Sequence, residues 1–213
     1  MEYNNIKPMN EAEKGDLTWC KHMTVPQINA SYVICHTEAI NLSSAEAIRT
    51  DNPKLLLQEY LEKEEIRDKL VAPHPHYIFT VEGEVHIGKN VLIGENCSIG
   101  VEGASYVRDG KALRKLKHIG RVIIEDDVEI GCNVVICRGV LGDTIIRKGT
   151  KIGHNVQIGH NVEIEEHCLI LPKTLICGSA KIGAGSYIAP NVTVINGAKV
   201  PTNSFIKTNE VYK

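Results

Sequence analysis

An aliphatic residue recurs every six positions along the second half of the chain. Ile146, Ile152, Ile158, Ile164, Ile170, Ile176, Ile182, Ile188, Val194 and Val200 are consecutive teeth of one comb. Shorter combs run through Val81, Ile87, Ile93 and Ile99 and through Ile124, Ile130 and Ile136, with a slip of phase between pieces. Glycine follows the tooth at 88, 94, 100, 131, 153, 159 and 183, and Val91, Cys97, Val128, Val134, Val156, Val162 and Cys168 sit four places after it. A helix repeats its apolar positions at 3.6 and a half-buried strand at 2, so a period of six describes short strand, turn, short strand. Such a unit cannot cover its apolar side alone and must stack on copies of itself as a solenoid. Three hexapeptides per coil give a triangular prism in which residues 18 apart lie one above another at roughly 4.8 Å. Small residues at the corners are expected to let the chain turn tightly without a Cβ penalty. An inert solenoid built for surface contact would carry flat Thr or Asn ladders on one face, and none is present.

The comb divides the chain. Residues 1–72 lack it and predict a small α/β lobe, with a strand over Ala30–Cys35 and a helix from Lys54 to about Leu70 that opens on Asp51-Asn52-Pro53, a cap residue ahead of a first-turn proline. The prism is expected over 73–205, interrupted by an excursion at 101–121, and residues 206–213 are expected to form a tail. An excursion that long from a regular solenoid is often functional. With 24 basic and 26 acidic residues the net charge is -2, so no broad positive field exists to hold nucleic acid. The polar start and the lack of an apolar run near roughly 18 residues predict a soluble, non-exported chain without an integral membrane segment. Seven cysteines without a C-x-x-C pair predict reduced thiols of a cytoplasmic protein. Cys97 and Cys168, four after a tooth, are expected as compact buried hydrophobes.

Three segments carry a resemblance to a known family: His118-Ile119-Gly120-Arg121-Val122-Ile123-Ile124-Glu125-Asp126-Asp127-Val128-Glu129-Ile130-Gly131, then Arg138-Gly139-Val140-Leu141-Gly142-Asp143-Thr144, then Gln157-Ile158-Gly159-His160-Asn161-Val162. They resemble the UDP-3-O-acylglucosamine N-acyltransferases, hexapeptide-repeat enzymes whose fold is a left-handed parallel β-helix. The loop Gly103-Ala104-Ser105-Tyr106-Val107-Arg108 fits the family's excursion less closely, and Glu11–Leu17 with Asp51-Asn52-Pro53 resembles an abbreviated form of its uridine-binding domain. The fold class implied is mainly β: a left-handed parallel β-helix preceded by a small α/β lobe.

The resemblance implies a reaction and its residues. His160 matches the general base that takes a proton from a sugar amine as its nitrogen attacks a thioester. Gly178, one coil of 18 later, falls where the family uses a backbone N–H as oxyanion donor. Asp143, roughly one coil before His160, is the candidate to orient the imidazole. Tyr106, His118, His154 and Asn161 are the candidates for substrate binding. No tightly bound cofactor is expected; the co-substrate is an acyl-CoA or acyl carrier protein thioester, the acceptor is a nucleotide-linked amino sugar, and the assembly is a homotrimer. The sequence departs from the pattern at Gly153-His154, where an acidic or amide neighbour of the catalytic turn is replaced by a second imidazole, and at Leu171-Pro172-Lys173-Thr174 and Gly197, where family parts that serve the long acyl chain and its carrier protein are missing, so a short acyl group on coenzyme A is at least as well matched. A sugar O-acetyltransferase is the alternative activity. A metal enzyme of the γ-carbonic-anhydrase kind is the more distant one, because His154 and His160, one hexapeptide apart, lie on different faces where one ion cannot reach both within a chain.

Overall fold

The computed structural model describes residues 79–213 continuously and, ahead of them, the backbone of three short strands, Leu17–Trp19, Tyr32–His36 and Glu46–Thr50. The chain divides into two units, Met1–His74 and Pro75–Lys213. In the first, the three strands pair in parallel in chain order, with Leu17 opposite Tyr32 and Tyr32 opposite Glu46. The strand expected over Ala30–Cys35 is thus present at Tyr32–His36. The helix expected after Asp51-Asn52-Pro53 and the uridine-site segment Glu11–Leu17, apart from the start of the first strand, lie outside the described residues.

The second unit is a parallel β-helix with three faces. The first face stacks Val85–Ile87, Val122–Ile124, Thr144–Ile146, Glu163–Ile164, Lys181–Ile182 and Lys199–Val200. The second stacks Leu92–Ile93, Glu129–Ile130, Lys151–Ile152, Leu169–Ile170, Tyr187–Ile188 and Phe205–Ile206. The third stacks Thr80–Val81, Ser98–Val101, Val135–Cys137, Gln157–Ile158, Leu175–Ile176, Thr193–Val194 and Val211–Tyr212. From Ile145 onward the register advances by the coil's 18 residues, Ile145 facing Glu163 and Glu163 facing Lys181. The winding does not stop at residue 205: Phe205–Ile206 pairs with Tyr187–Ile188 and Val211–Tyr212 with Thr193–Val194. The segment 206–213, expected as a tail, therefore holds two more rungs of the ladder. Its apolar teeth, Ile206 and Tyr212, stay on the six-residue phase.

Every tooth from Ile146 to Ile206 is at most 5% exposed. Inside the prism the teeth of one face stack on each other, and from Ile146 to Val194 the residue four later is small and fills the corner beneath: Thr150, Val156, Val162, Cys168, Thr174, Ala180, Ser186, Val192 and Ala198 are all buried. The buried hydroxyls among them find acceptors in the next coil, Thr150 Oγ1 on Glu165 O at 2.9 Å and Thr174 Oγ1 on Ala189 O at 3.2 Å. Cys97 and Cys168 are buried as expected, and burial pushes both thiols up.

The tight corners are formed mostly by asparagine and glycine. From Ile146 onward the residues with left-handed backbone are those three after the tooth: Gly149, Asn155, Asn161, His167, Lys173, Ser179, Gly185, Asn191, Gly197, Asn203 and Asn209. Asparagine dominates because its short amide tolerates the left-handed region that other side chains avoid. Glycine directly after the tooth serves a different end. A Cβ on Gly153 would come within 2.7 Å of Pro172 Cδ, and one on Gly159 within 2.6 Å of Gly178 N. Those glycines permit coil-to-coil approach.

Two irregularities fall on the same edge, between the third and first faces. The coil that leaves the third face at Val101 returns to the first at Val122 by way of a two-stranded antiparallel hairpin, Tyr106–Asp109 with Ala112–Lys115, turning at Gly110 with φ of 60°. One coil later, residues between Cys137 and Thr144 make a shorter bulge, so that Val122 faces Thr144 at a spacing four larger than a regular coil. The excursion expected at 101–121 is this hairpin and its two stems.

Candidate active site

The edge that carries both excursions also carries His160, Asn161 and Gly178, because the third-face strands Gln157–Ile158 and Leu175–Ile176 both end there. Asn161 occupies one of the left-handed corners, with φ of 57°, and its amide is tied to the bulge beneath it. Val140 N donates to Asn161 Oδ1 at 2.9 Å, while Asn161 N donates to Thr144 Oγ1 at 2.8 Å. A backbone N–H fixes which end of that amide is the oxygen. His160 Nδ1 lies 3.1 Å from the same Oδ1, so Nδ1 carries the proton and donates, leaving the Nε2 lone pair free.

Nε2 points at Gly178 in the coil above. A Cβ on Gly178 would sit 2.6 Å from His160 Nε2 and 2.7 Å from Cε1, a distance that real side chains do not reach. Glycine is required there, as its place 18 residues after the base suggests. The coils are locked at this point by Ser179 N donating to His160 O at 2.8 Å and Gly197 N donating to Gly178 O at 3.0 Å. Gly178 is buried and its N–H has no acceptor among the described residues.

Asp143 does not meet the imidazole. Arg121 takes it in a two-pronged ion pair, Nε to Oδ1 at 3.0 Å and Nη2 to Oδ2 at 2.8 Å, with Arg121 N adding a third bond at 3.3 Å. That guanidinium holds the Asp143 carboxyl below the usual carboxylate range. Asp143 closes the bulge level with Arg121, Val122 facing Thr144, and pairs with that arginine rather than with the imidazole of the following coil. Asn161, expected among the substrate-binding residues, is the group that orients His160.

The hairpin's stems close over the same corner. Gly103, at its start, separates two imidazoles: a Cβ there would lie 3.1 Å from His118 Nε2 and 3.2 Å from His160 Cδ2. His118, on the returning stem, is 1% exposed and packs edge-to-face on His160 with ring centroids 5.5 Å apart. Glu102 and Arg138 pin the stems. Glu102 accepts from Lys115 at 2.7 Å and from Arg138 Nη2 at 3.2 Å, and Arg138 also reaches Gly100 O at 2.8 Å and His118 O at 3.1 Å. The Lys115 ammonium, then the neighbouring His118 N–H and Arg138, hold the Glu102 carboxyl down at about 2. Sequence reading does not single out Glu102 or Arg138; a carboxylate at one foot of a long excursion and an arginine one coil on is the signal that marks them.

Tyr106 stands on the hairpin, 54% exposed. His154 lies on a different edge, between the second and third faces, is exposed, and uses Nδ1 to accept from Cys132 N at 2.8 Å. The site therefore brings together His160, Asn161, Gly178, His118 and Gly103, and leaves Asp143, His154 and Tyr106 outside the imidazole's contacts. Among the described residues, no three His, Cys, Asp or Glu side chains converge as a metal-holding group.

The bacterial transferase hexapeptide family matches residues 143–178 and 162–196. The chain is 43% identical over 95 residues to the UDP-3-O-acylglucosamine N-acyltransferase of Rhizobium johnstonii, covering 45% of this chain and 27% of that one. It is 46% identical over 93 residues to the enzyme of the same name from Agrobacterium fabrum, covering 44% and 26%. The chain thus spans about a quarter of the length of the curated relatives it matches. Among solved structures, the UDP-N-acetylglucosamine O-acyltransferase of Moraxella catarrhalis aligns with a TM-score of 0.40 at 20% identity, covering 62% of this chain and 66% of that one. The six-residue teeth and stacked coils thus carry repeats that match the bacterial transferase hexapeptide family over residues 143–178 and 162–196, and part of the prism is similar to the UDP-3-O-acylglucosamine N-acyltransferases.

Proposed function

We propose that the protein transfers an acyl group from a thioester to the amine of a nucleotide-linked amino sugar, with His160 as general base. The observation that carries this reading is the pairing of a free Nε2 on His160 with Gly178, whose missing side chain leaves room beside that nitrogen. The neutral sugar amine attacks the thioester carbonyl carbon as Nε2 takes one of its protons. Negative charge collects on the carbonyl oxygen, where the Gly178 N–H is the candidate donor. Collapse of the tetrahedral intermediate breaks the C–S bond, and the proton held at Nε2 leaves with the thiolate. A neutral imidazole suits both proton steps near pH 7.

The amine, rather than a hydroxyl, follows the likeness to the N-acyltransferases of Rhizobium johnstonii and Agrobacterium fabrum. The donor is acyl-CoA or an acyl carrier protein thioester, and the pathway is that of lipid A or another surface polysaccharide, in the cytoplasm. Three copies assemble side by side with the sites between them, a closed arrangement that satisfies the flat faces of all copies at once.

The test is thioester cleavage followed by free-thiol release, with acetyl-CoA and longer acyl donors against UDP-, dTDP- and GDP-linked amino sugars. A raised melting temperature with one nucleotide sugar identifies the acceptor, since a ligand held only by the folded state stabilises it. Acceptor-dependent thiol release that disappears when the amine is replaced by a hydroxyl confirms the reading. Release that no amino sugar accelerates, or that persists at full rate with the hydroxyl analogue, sinks it. Light scattering reads the assembly, and an active monomer contradicts the trimer.

A further inference from the structure

His118 is the buried imidazole for which the acyl-transfer steps above find no use. It ends the hairpin's returning stem, where its main chain is held twice, its N–H facing Glu102 Oε1 at 3.4 Å and its carbonyl accepting from Arg138 Nε at 3.1 Å. The ring's Nδ1 lies 2.9 Å from Leu116 O. A carbonyl only accepts, so Nδ1 carries the ring proton and Nε2 presents its lone pair. That Nε2 is buried and has no hydrogen-bond partner among the described residues. Leaving a buried acceptor unsatisfied costs stability, and an apolar ring of similar size would avoid the cost. A group kept at such a cost marks a position where function overrides packing.

What Nε2 faces is given by Gly103, whose absent side chain would touch His118 Nε2 on one side and His160 Cδ2 on the other. The two rings meet at 76°. A neutral imidazole protonated at Nδ1 is a dipole with its negative end at Nε2, and in a corner shielded from water such a dipole favours positive charge beside it. The charged side chains around the pair are already matched with one another, Glu102 with Arg138 and Lys115, and Asp143 with Arg121. None of these is left as a counter-ion for His160.

We propose that His118 is a positioning residue for His160: wedged edge-on across Gly103, it holds that imidazole against Gly178, and its Nε2 lone pair stabilises the imidazolium formed when His160 takes a proton. The second half rests on His160 being the base; the coupling between the rings does not. His118→Phe keeps the ring's bulk and removes the dipole, whereas His118→Gln restores an acceptor.

The deciding measurement is an NMR titration of the ring resonances in the full chain without substrate. In His118→Phe the His160 midpoint is expected to fall by about half a pH unit or more, with a melting temperature equal to or above that of the natural protein. In turnover assays kcat falls roughly 5–10-fold with KM nearly unchanged, the acid limb of kcat/KM moves to lower pH, and His118→Gln recovers part of each change. A His160 midpoint unmoved in His118→Phe overturns the proposal. Should that variant not fold, ring nitrogen shifts of the natural protein decide instead: an Nδ1–H tautomer of His118 at neutral pH is required, and an Nε2–H tautomer overturns the proposal. Absent turnover in the natural protein, with the midpoint shift intact, counts against acyl transfer and not against the coupling.

Discussion

His154 and His160 occupy the same place in consecutive hexapeptides, each within the sequence Ile-Gly-His-Asn-Val. Both follow a buried isoleucine and a glycine, and both precede an asparagine in the left-handed region, Asn155 and Asn161, at φ of 58° and 57°. Locally the two are interchangeable, yet the structure gives them opposite tautomers. His154 Nδ1 accepts from Cys132 N, which leaves its proton on Nε2, while His160 Nδ1 donates to Asn161 Oδ1 and leaves Nε2 free. The difference comes from the coil beneath. On the His160 edge the bulge between Cys137 and Thr144 brings Val140 N up to Asn161 Oδ1 and fixes the amide with its oxygen toward the ring. The His154 edge has no such bulge, and its imidazole turns down to Cys132. Identical pentapeptides thus become an imidazole with a free Nε2 or an exposed surface group according to what the neighbouring coil inserts.

The largest effects that test this contrast come from removing each imidazole in turn. His160→Ala is expected to lower kcat by ~10²-fold or more with nucleotide-sugar affinity nearly unchanged, since base catalysis acts in the transition state. His154→Ala leaves kcat within about twofold, as a surface substitution does. Reversed magnitudes would place the base on the other edge. Gly178→Ala comes next. Its methyl would fall 2.6 Å from His160 Nε2, and the ring, as the movable partner, is pushed off its line. A loss near ~10² in kcat is expected, with circular dichroism unchanged; an active Gly178→Ala enzyme would mean that Nε2 does not need that space.

The paired asparagines sharpen the same comparison at smaller amplitude. Asn161→Ala removes the acceptor that sets the tautomer and leaves Val140 N without a partner, so kcat falls about tenfold and stability drops by about 1–3 kcal/mol. Asn155→Ala shares the cost of placing alanine in the left-handed region, about 1 kcal/mol, and leaves kcat alone. Thermal melts and turnover on the two variants separate the shared backbone cost from the catalytic one. Equal kcat in both would deny Asn161 its role.

The prism is legible in the sequence because its determinant is periodic: each tooth must be buried whatever its neighbours are, so a comb of Ile and Val reads directly as stacked strands. Residues 206–213 escape that reading because the comb's last teeth, Ile206 and Tyr212, are separated by polar corners that taken alone resemble a tail. His160 and Gly178 are legible together because 18 residues separate them and no insertion intervenes. Asp143 is not, because it closes the bulge level with Arg121, Val122 facing Thr144, and counting along the sequence cannot show which coil a side chain at such a point pairs with. Asn161 is visible in the sequence without its role. The asparagines that fall three after a tooth mark left-handed corners, and only the bulge beneath this one turns its amide toward the His160 ring. His118 can be placed beside the loop but not against His160, since that contact depends on how the hairpin's stems close.

The smallest expected effect concerns what holds those stems. Glu102 is kept down at about 2 by Lys115 and, behind it, by the His118 N–H and Arg138. A carboxyl ordinarily near 4.5 that is depressed in the folded state contributes its stabilisation fully above 4.5 and loses it as pH falls toward about 2. The hairpin should therefore loosen in acid before the prism does, because the aliphatic teeth carry no titrating group. The hairpin amides whose bonds close the stem, such as Leu116 N on Ser105 O, should lose hydrogen-exchange protection as pH falls from 4.5 toward about 2, while Ile158 and Ile176 keep theirs. In Glu102→Gln that protection is already reduced at neutral pH and no longer varies over the same range. Stems that stay closed throughout that range in the natural protein would show that the hairpin is held by packing of His118 and Gly103 rather than by the Glu102 pairings, and would move the control of the His160 edge from charge to shape.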